Sequence, residues 1–325
     1  MLNKLLERQI KRYLRGGIDN LDPQVKALLT SISQSYDHYE QNRIMIERSL
    51  ELSSEELNVA NGKLTGAYNE IEYQNKNILD SIYYAKRIQH AILPPIPNIL
   101  NHLPDCFVFY LPKDIVSGDF YWFTTKDDYI FIAACDCTGH GVPGALMSMI
   151  GNTLLNEIVN LKGIVDPGEI LQSLDQNVVS SLKQKEEASR DGMDLALVRV
   201  NKSKNELAFA SANRFLFRYV NNELEIIKGD KFPIGGYYEG QHKQFQTHTF
   251  TYSKGESIYI FSDGFADQFG GEHGKKFMLK QFKEFIQQNI SLPMPEQKVL
   301  FEKTINDWKG SYEQVDDILV IGIRF

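Results

Sequence analysis

The chain has 325 residues, 42% of them hydrophobic and 24% charged, with 42 acidic and 35 basic residues and a formal net charge of −7. This length allows one large or two ordinary domains, and the apolar fraction excludes a wholly disordered chain. The acidic balance argues against a nucleic-acid partner, since nucleic-acid binding needs a basic face. No apolar run approaches the ~18 residues that span a bilayer, so we expect a cytoplasmic protein with no membrane span.

The first part of the chain, up to Pro94-Pro95, is predicted to be helical. A short helix is expected over residues 2–14, before Gly16-Gly17. A second is expected to start at Asp22-Pro23, because Asp is a favoured N-cap and Pro a favoured first helical residue. Residues 1–95 carry 12 basic and 12 acidic residues, so the negative excess lies in residues 96–325. We therefore divide the chain into a helical region, 1–95, and a second domain, 96–325.

Residues 32–92 lack proline and contain a seven-residue repeat of apolar side chains. The repeat consists of Leu50, Leu57, Leu64, Ile71 and Ile78. A period of 3.5 residues per turn keeps one seam facing a partner helix, which predicts a coiled coil and a homodimer through residues 50–92. Gly62 and Gly66 each cost about 1 kcal/mol in a helix interior, so the predicted coil is weak. The alternative is a single amphipathic helix that lies on the second domain.

After Pro94-Pro95 the sequence changes to short β-rich runs. Strands are predicted at 106–111, 120–124, 130–137, 193–200, 207–211, 215–219, 245–252, 257–262 and 318–323, and helices at 145–160, 169–182 and 278–308, the last as one or two helices. Successive strands with helices grouped between them favour an α+β fold, in which sheets are covered by helices, over alternating βαβ units.

Aspartates mark the ends of four predicted strands. They occur in Ser117-Gly118-Asp119, in the segment 135–141 around Asp136, in Ser262-Asp263-Gly264 and in Asp316-Asp317. One Asp-Gly is a common turn signal, but a carboxylate at the end of a buried strand is costly to ionise alone. If the four converge, divalent cations are the expected neutralising charge, and all-oxygen ligands favour Mg²⁺ or Mn²⁺ over Zn²⁺. Two such ions would activate water for attack on phosphorus.

These aspartates belong to four motifs that occur in order within residues 96–325. The motifs are S-G-D-F-Y-W-F at 117–123, D-x-x-G-H-G-x-P-G-A at 136–145, S-D-G at 262–264 and D-D-I-L-V-I at 316–321. Together they resemble the SpoIIE/RsbU-type branch of the metal-dependent (PPM) serine/threonine protein phosphatases. The resemblance implies a β-sandwich flanked by helices, with two Mn²⁺ or Mg²⁺ ions where the sheets meet. It also implies hydrolysis of phosphoserine or phosphothreonine on a phosphorylated signalling protein, such as an anti-sigma-factor antagonist.

Carried over to matching positions, the resemblance implies five residues at the metal site. Asp136 would bridge the two ions, and the backbone carbonyl of Cys137 would be the next ligand. Asp263 and Asp316 would bind one ion. Asp119 would bind the other directly or through water, so Asp119 and Asp136 are the predicted catalytic residues.

Three further residues each have two interpretations. Asp317 could exchange roles with Asp316. His140 is either a general acid or a structural residue of its loop, and we favour the structural role. Asp194 either contacts the ion ligands without binding an ion itself, or is one polar end of a turn. In addition, the loop 211–214 departs from the Ala-Gly-His-Asn-Pro pattern of many relatives, which leaves substrate contacts there open.

The segment 81–95 is similar to the linker helix that precedes the phosphatase domain in this branch. Such helices dimerise and transmit a signal that orders the metal site, so we expect regulation through the N-terminal coiled coil. The alternative function is a non-catalytic phosphoprotein-binding scaffold that retains the fold. The four carboxylate motifs are all intact, which favours the enzyme.

Overall fold

A computed structural model of the chain describes residues 2–14, 18, 21–186, 189–236, 240 and 242–325. Its helices are α1 (Lys4–Tyr13), α2 (Pro23–Ile92), α3 (Ile96–His102), α4 (Gly141–Asn156), α5 (Pro167–Ser181), α6 (Gly264–Asp267), α7 (Met278–Asn289) and α8 (Met294–Lys309), with a π-helical turn at Glu157–Leu161. The chain divides into two compact units, Met1–Ile78 and Leu79–Phe325. The predicted division after residue 95 stays a prediction. None of the helices within the described ranges is long and apolar enough to cross a membrane.

In the first unit, α1 packs against the beginning of α2. The side chain of Asn3 caps α1 by accepting a hydrogen bond from the Leu5 amide at 2.9 Å. The Asn3 amide donates to Ser33 Oγ on α2 at 2.6 Å, and Leu6 and Ile10 of α1 are buried. The predicted first helix is therefore confirmed, while Gly16-Gly17 lie outside the described residues.

The second helix begins where the sequence predicts, because Asp22 Oδ1 accepts a hydrogen bond from the Gln24 amide at 2.8 Å. The helix then continues without interruption to Ile92. All five side chains of the heptad repeat are exposed, between 57% and 69% of their surface. The structure of one chain therefore leaves the predicted seam open to solvent.

The strands of the second unit are β1 (Cys106–Leu111), β2 (Phe120–Lys126), β3 (Tyr129–Cys137), β4 (Gly192–Asn201), β5 (Glu206–Ala212), β6 (Phe215–Val220), β7 (Glu223–Lys228), β8 (Ile234–Gly235), β9 (His248–Thr251), β10 (Ser257–Phe261), β11 (Phe269–Gly270), β12 (Lys275–Lys276) and β13 (Ile318–Arg324). Over the described residues they form a five-stranded sheet in the order β1-β13-β10-β6-β7 and a six-stranded sheet in the order β2-β3-β4-β5-β9, in which β8 pairs with β4. Within these two sheets, neighbouring strands pair antiparallel.

The two sheets pack face to face and are covered by helices on both outer sides. Along β13, Leu319 and Ile321 lie in the core shared with the six-stranded sheet, α4 and α5. Ile318 and Val320 point to the other side, where they pack with Phe282 of α7 and with α8. Both faces of the central strands are therefore buried, which explains why their sequences read as continuous apolar runs.

This arrangement confirms the predicted α+β fold of sheets flanked by helices. The predicted helix at 145–160 starts earlier, at Gly141, since Pro143 is tolerated in the first turn of a helix. The strand predicted at 245–252 is reduced to β9. The edge strand β7 was missed, because its short alternating sequence Glu-Leu-Glu-Ile-Ile-Lys carries little apolar signal.

Candidate metal centre

The predicted aspartates come together at one end of the sandwich because of the strand register. Phe120, which follows Asp119, pairs with Cys135, so Asp119 lies beside the end of β3 that carries Asp136. Asp136 in turn pairs with Asp194 on β4. In the other sheet, Phe261 pairs with Val320, which brings the residues after β10 and before β13 to the same end.

Asp119 is, with Asp317, one of the two most deeply buried of these carboxylates. It is only 2% exposed, and its Oδ2 atom has no hydrogen-bond partner among the described residues. Burial, followed by the negative charge of Asp136, raises its pKa well above the ordinary value, while a hydrogen bond from the Ser262 side chain opposes the rise. An unpaired buried carboxylate oxygen is unfavourable unless it meets a proton or a cation. Asp119 therefore fits a position next to a bound divalent ion.

Other carboxyls at this end of the sandwich also favour protonation. Burial raises the pKa of Asp136 to about 7, with further increases from Asp263, Asp316 and Asp194 and a decrease from Arg214. Burial likewise raises the pKa of Asp194 and of Asp316. These mutual effects show that the carboxyls from both sheets lie within electrostatic reach of one another.

A partly buried arginine lies among the carboxylates. The Nη2 atom of Arg214 is 2.6 Å from Asp136 Oδ2, 3.0 Å from Asp263 Oδ2 and 3.1 Å from Asp194 Oδ2. The Oδ1 atom of Asp194 also accepts a hydrogen bond from Asn213 Nδ2 at 2.9 Å. Arg214 therefore neutralises part of the negative charge contributed by these residues.

Asp317 has a different environment from its neighbour Asp316. Asp317 is 2% exposed, and its two carboxylate oxygens accept hydrogen bonds from the backbone amides of Lys113 and Gly118, both at 2.7 Å. Asp316 is only partly buried, and its Oδ1 accepts from the Asp317 amide at 2.8 Å. Asp317 thus holds the loop that carries Asp119, which leaves Asp316 the better candidate for an ion ligand.

The same loop is held from the other side by the end of α2. Gln89 is 3% exposed, and its Nε2 donates to the carbonyl of Ser117 at 2.6 Å and to Ser148 Oγ at 2.9 Å. The Ser117 amide donates back to Gln89 Oε1 at 3.1 Å. Gln89 was not among the predicted site residues, since one glutamine in a helix produces no recognisable sequence pattern.

His140 lies at the edge of this region rather than in its interior. Its Nδ1 is 2.7 Å from Asp114 Oδ2, and both side chains are about half exposed. His140 is the residue that precedes α4, and its side chain forms no capping hydrogen bond. The contact with Asp114 joins the two loops, and the structural role of His140 stays a prediction.

Glycines allow these loops to approach closely. A Cβ atom on Gly144 would lie 2.2 Å from the carbonyl oxygen of Gly139 and 2.8 Å from the Cα of Gly118. A Cβ atom on Gly118 would lie 2.5 Å from the same Gly139 oxygen and 3.3 Å from the carbonyl oxygen of Cys137. The motif glycines are therefore needed for backbone contacts beside the carboxylates.

The structure brings the predicted aspartates to one place, but they are not arranged as a preformed ligand cluster. Within the described ranges, no three His, Cys, Asp or Glu side chains form a group that could hold an ion as they stand. Arg214 instead lies against Asp136, Asp194 and Asp263. In the sequence, Arg214 is noticeable only because its loop departs from the family pattern, since an arginine beside a strand has no spacing that reveals its carboxylate partners.

Comparison with known proteins shows the family of the chain. The family model described as Stage II sporulation protein E (SpoIIE) matches residues 126–325, which is more than half of the chain. The chain belongs to the SpoIIE family. The structure of this SpoIIE-family chain is similar to the SiaA-PP2C domain of Pseudomonas aeruginosa, with a TM-score of 0.71 and 35% identity. The match covers 77% of this chain and 98% of that one.

Two further relatives extend the comparison. Phosphoserine phosphatase RsbU of Bacillus subtilis (strain 168) is 28% identical over 194 residues, which are 58% of this SpoIIE-family chain and 54% of RsbU. The chain therefore spans about half the length of RsbU. The PP2C phosphatase domain of SpoIIE from Bacillus subtilis, solved with a fragment of its regulatory domain, matches with a TM-score of 0.54 and 17% identity, over 68% of this chain and 61% of that one, and this match shows the fold alone.

Proposed function

We propose that this protein is a metal-dependent serine/threonine protein phosphatase that uses two Mn²⁺ or Mg²⁺ ions. The observation that carries the proposal is the buried, unpaired Oδ2 atom of Asp119, next to Asp136, in a member of the SpoIIE family. Hard divalent ions with oxygen ligands are the cations that such a carboxylate group selects. All four carboxylate motifs are intact, which supports an enzyme over a binding-only scaffold.

Five groups are proposed to hold the two ions. Asp136 would be the ligand that they share, the Cys137 carbonyl would be the next ligand, Asp263 and Asp316 would bind one ion, and Asp119 would bind the other. When bound, such ions lower the pKa of a water and neutralise charge on a phosphoryl group. The protein's own contribution is to bring the carboxylates of both sheets to one end of the sandwich and to hold the loop that carries Asp119.

Positioning depends on residues that touch the backbone of the Asp119 loop. Asp317 and Gln89 form hydrogen bonds with Gly118 and Ser117, the two residues before Asp119. A rigid loop keeps the Asp119 carboxylate from turning toward solvent, so the charge is already placed when substrate binds.

For the substrate, we propose a phosphoserine or phosphothreonine on a folded signalling protein, with an anti-sigma-factor antagonist as the first candidate. The similarity to a phosphoserine phosphatase, RsbU, supports the class of phosphorylated residue. We further propose that the chain forms a homodimer through residues 50–92, since the five heptad side chains of α2 are apolar and exposed in one chain.

The central experiment measures phosphate release from a phosphoserine protein by the full chain, with Mn²⁺ or with EDTA. Asp136→Asn should reduce the Mn²⁺-dependent rate by at least about 100-fold, because it removes the charge of a proposed bridging ligand. Asp267→Asn is the matched control, since Asp267 forms an exposed ion pair with Lys276. Equal rates for the wild type and Asp136→Asn would contradict the two-metal mechanism.

The scaffold alternative predicts a different result from the same samples. A non-catalytic module would bind the phosphoprotein but release no phosphate with either metal. Phosphoprotein binding that survives with no turnover in Mn²⁺ or Mg²⁺ would favour this second function.

A further inference from the structure

Arg214 lies in the connection that crosses from one sheet to the other. It follows β5 of the six-stranded sheet and immediately precedes β6 of the five-stranded sheet. Its amide donates to Ser211 Oγ at 3.0 Å, and the Ser211 hydroxyl donates to the Arg214 carbonyl at 2.5 Å. The Asn213 amide donates to the carbonyl of Asp230 at 2.8 Å. These backbone contacts hold the arginine at the end of the sandwich where the carboxylates meet.

The guanidinium contacts carboxylates that belong to both sheets. Its side chain is 13% exposed, and one nitrogen, Nη2, contacts Asp136 and Asp194 from β3 and β4 and Asp263 after β10. Within the described residues, its Nε atom has no hydrogen-bond partner. The guanidinium is therefore oriented toward the carboxylates, and its buried Nε–H is left without an acceptor among the described residues. This is expected for a group that is held mainly by its charge.

We infer that Arg214 is a built-in counter-cation that competes with divalent ions for Asp136 and Asp263 and thereby sets the metal affinity of the site. The inference rests on the proposed function, because it concerns the same carboxylates. The oxygens that Nη2 contacts are oxygens that an ion would need. Two positive groups on the same oxygens repel strongly in a partly buried site, so the arginine must give way when an ion binds.

Asp194 gives the displaced guanidinium a remaining partner. One of its oxygens is 3.1 Å from Nη2, and the other is held by Asn213 at 2.9 Å. Asp194 is absent from the proposed ligand set, so it can retain the arginine after Asp136 and Asp263 are taken by ions. The carboxylates are then paired with a cation both before and after metal binding.

The test is a calorimetric titration of metal-free full-length protein with Mn²⁺ alone, without substrate. Arg214→Gln should bind Mn²⁺ roughly tenfold more tightly than the wild type, within the range of couplings between competing ligands. Arg218→Gln is the matched control, because Arg218 lies on β6, the strand that follows Arg214, and its Nη2 is 2.7 Å from Glu256 in an ion pair whose side chains are no more than 14% exposed. This control should bind Mn²⁺ as the wild type does.

A second variant and a second measurement distinguish a change in Mn²⁺ affinity from unfolding of the variant. Arg214→Lys keeps the charge without the planar fork and should give an intermediate Mn²⁺ affinity. In EDTA, Arg214→Gln should melt at a lower temperature than the wild type, and Mn²⁺ should raise its melting temperature by more, because the ion then supplies the missing charge.

The outcomes separate this inference from the proposed function. If Arg214→Gln and Arg214→Lys bind Mn²⁺ as tightly as the wild type or more weakly, while the wild type releases phosphate, the phosphatase proposal stands and the competition is wrong. If the wild type binds no Mn²⁺ and Arg214→Gln binds none either, both proposals are wrong.

Discussion

The side chain of Gln89 forms two hydrogen bonds with the backbone of Ser117, so the end of helix α2 holds the loop that carries Asp119. Gln89→Ala should leave a buried amide and a buried carbonyl without partners, at about 1–3 kcal/mol each. We expect lower stability of the Leu79–Phe325 unit and a lower Mn²⁺-dependent rate. Urea unfolding of the full chain, followed by the fluorescence of its two tryptophans, Trp122 and Trp308, measures the first effect in the correct unit.

The control for this change is Gln74→Ala on the same helix. Gln74 is exposed, and its Nε2 donates only to Glu70 one turn earlier, at 2.8 Å. It should change stability by less than about 0.5 kcal/mol. If Gln89→Ala behaved like Gln74→Ala in both assays, the helix would not support the loop.

The pKa of Asp136 predicts how stability depends on pH without metal. In the folded chain this pKa is raised to about 7, whereas an unfolded aspartate titrates near pH 4. Between these values the folded state holds a proton that the unfolded state has lost. The stabilising effect is therefore present below about pH 4 and is lost as the pH rises through about 7.

Urea unfolding in EDTA, at intervals between about pH 4 and 8, measures this dependence. The free energy of unfolding of the wild type should fall across the interval by more than that of Asp136→Asn, which has no proton to lose. Identical slopes for the two proteins would show that Asp136 is ionised in the folded chain throughout.

Removal of the Asp317 carboxylate should mainly lower stability, whereas removal of the Asp316 carboxylate should mainly weaken Mn²⁺ binding. Asp317→Ala leaves the amides of Lys113 and Gly118 without their acceptor, so it should destabilise metal-free protein by about 1–3 kcal/mol for each amide. Asp316→Ala should cost much less stability, because it also relieves repulsion among the carboxylates, and it should weaken Mn²⁺ binding. Calorimetry and urea unfolding distinguish the two. A stable Asp317→Ala protein that has lost Mn²⁺ binding would mean that the two roles are exchanged.

Gly144 should tolerate no side chain. Its Cβ would lie 2.2 Å from the Gly139 oxygen, so Gly144→Ala must move backbone and should lower stability by about 3 kcal/mol. Gly66→Ala is the control, since Gly66 is also helical but has nothing within 4 Å, and alanine there should stabilise the helix by about 1 kcal/mol. Thermal melting followed by circular dichroism compares them, and an unchanged Gly144→Ala protein would disprove the close approach.

The exposed seam of α2 predicts the oligomeric state. Leu57→Gln combined with Leu64→Gln should shift a dimer toward monomer, because each leucine is more than 60% exposed in one chain and would be buried in a coiled coil. Lys63→Gln, a polar change on the same helix, should leave the mass unchanged. Sedimentation velocity measures all three proteins, and a monomeric wild type would contradict the proposed homodimer.

The α+β class could be predicted from the sequence because strands that are buried on both faces have continuous apolar runs. The strand 129–137 and the strand 257–261 are such cases, and each contains or precedes an aspartate. The two-sheet sandwich and the meeting of the aspartates were expected from the family resemblance. The strand register that brings Asp136 beside Asp194 is visible only in the structure.

The supporting contacts could not be predicted, because they join residues that are far apart in sequence and have no spacing rule. Gln89 and Ser117, or Arg214 and Asp136, become partners only after helix and sheets have packed. The choice between Asp316 and Asp317 likewise depends on which carboxylate meets two backbone amides, and neighbouring identical residues give no sequence signal for this difference.

The carboxylates come from two sheets, with Asp119, Asp136 and Asp194 on one and Asp263 and Asp316 on the other. An ion bound by carboxylates of both sheets would cross-link the sheets, so its binding free energy would oppose their separation. Defects in the core between the sheets would then weaken ion binding without touching a ligand. The measured Mn²⁺ affinity would therefore report on the packing of the core between the two sheets.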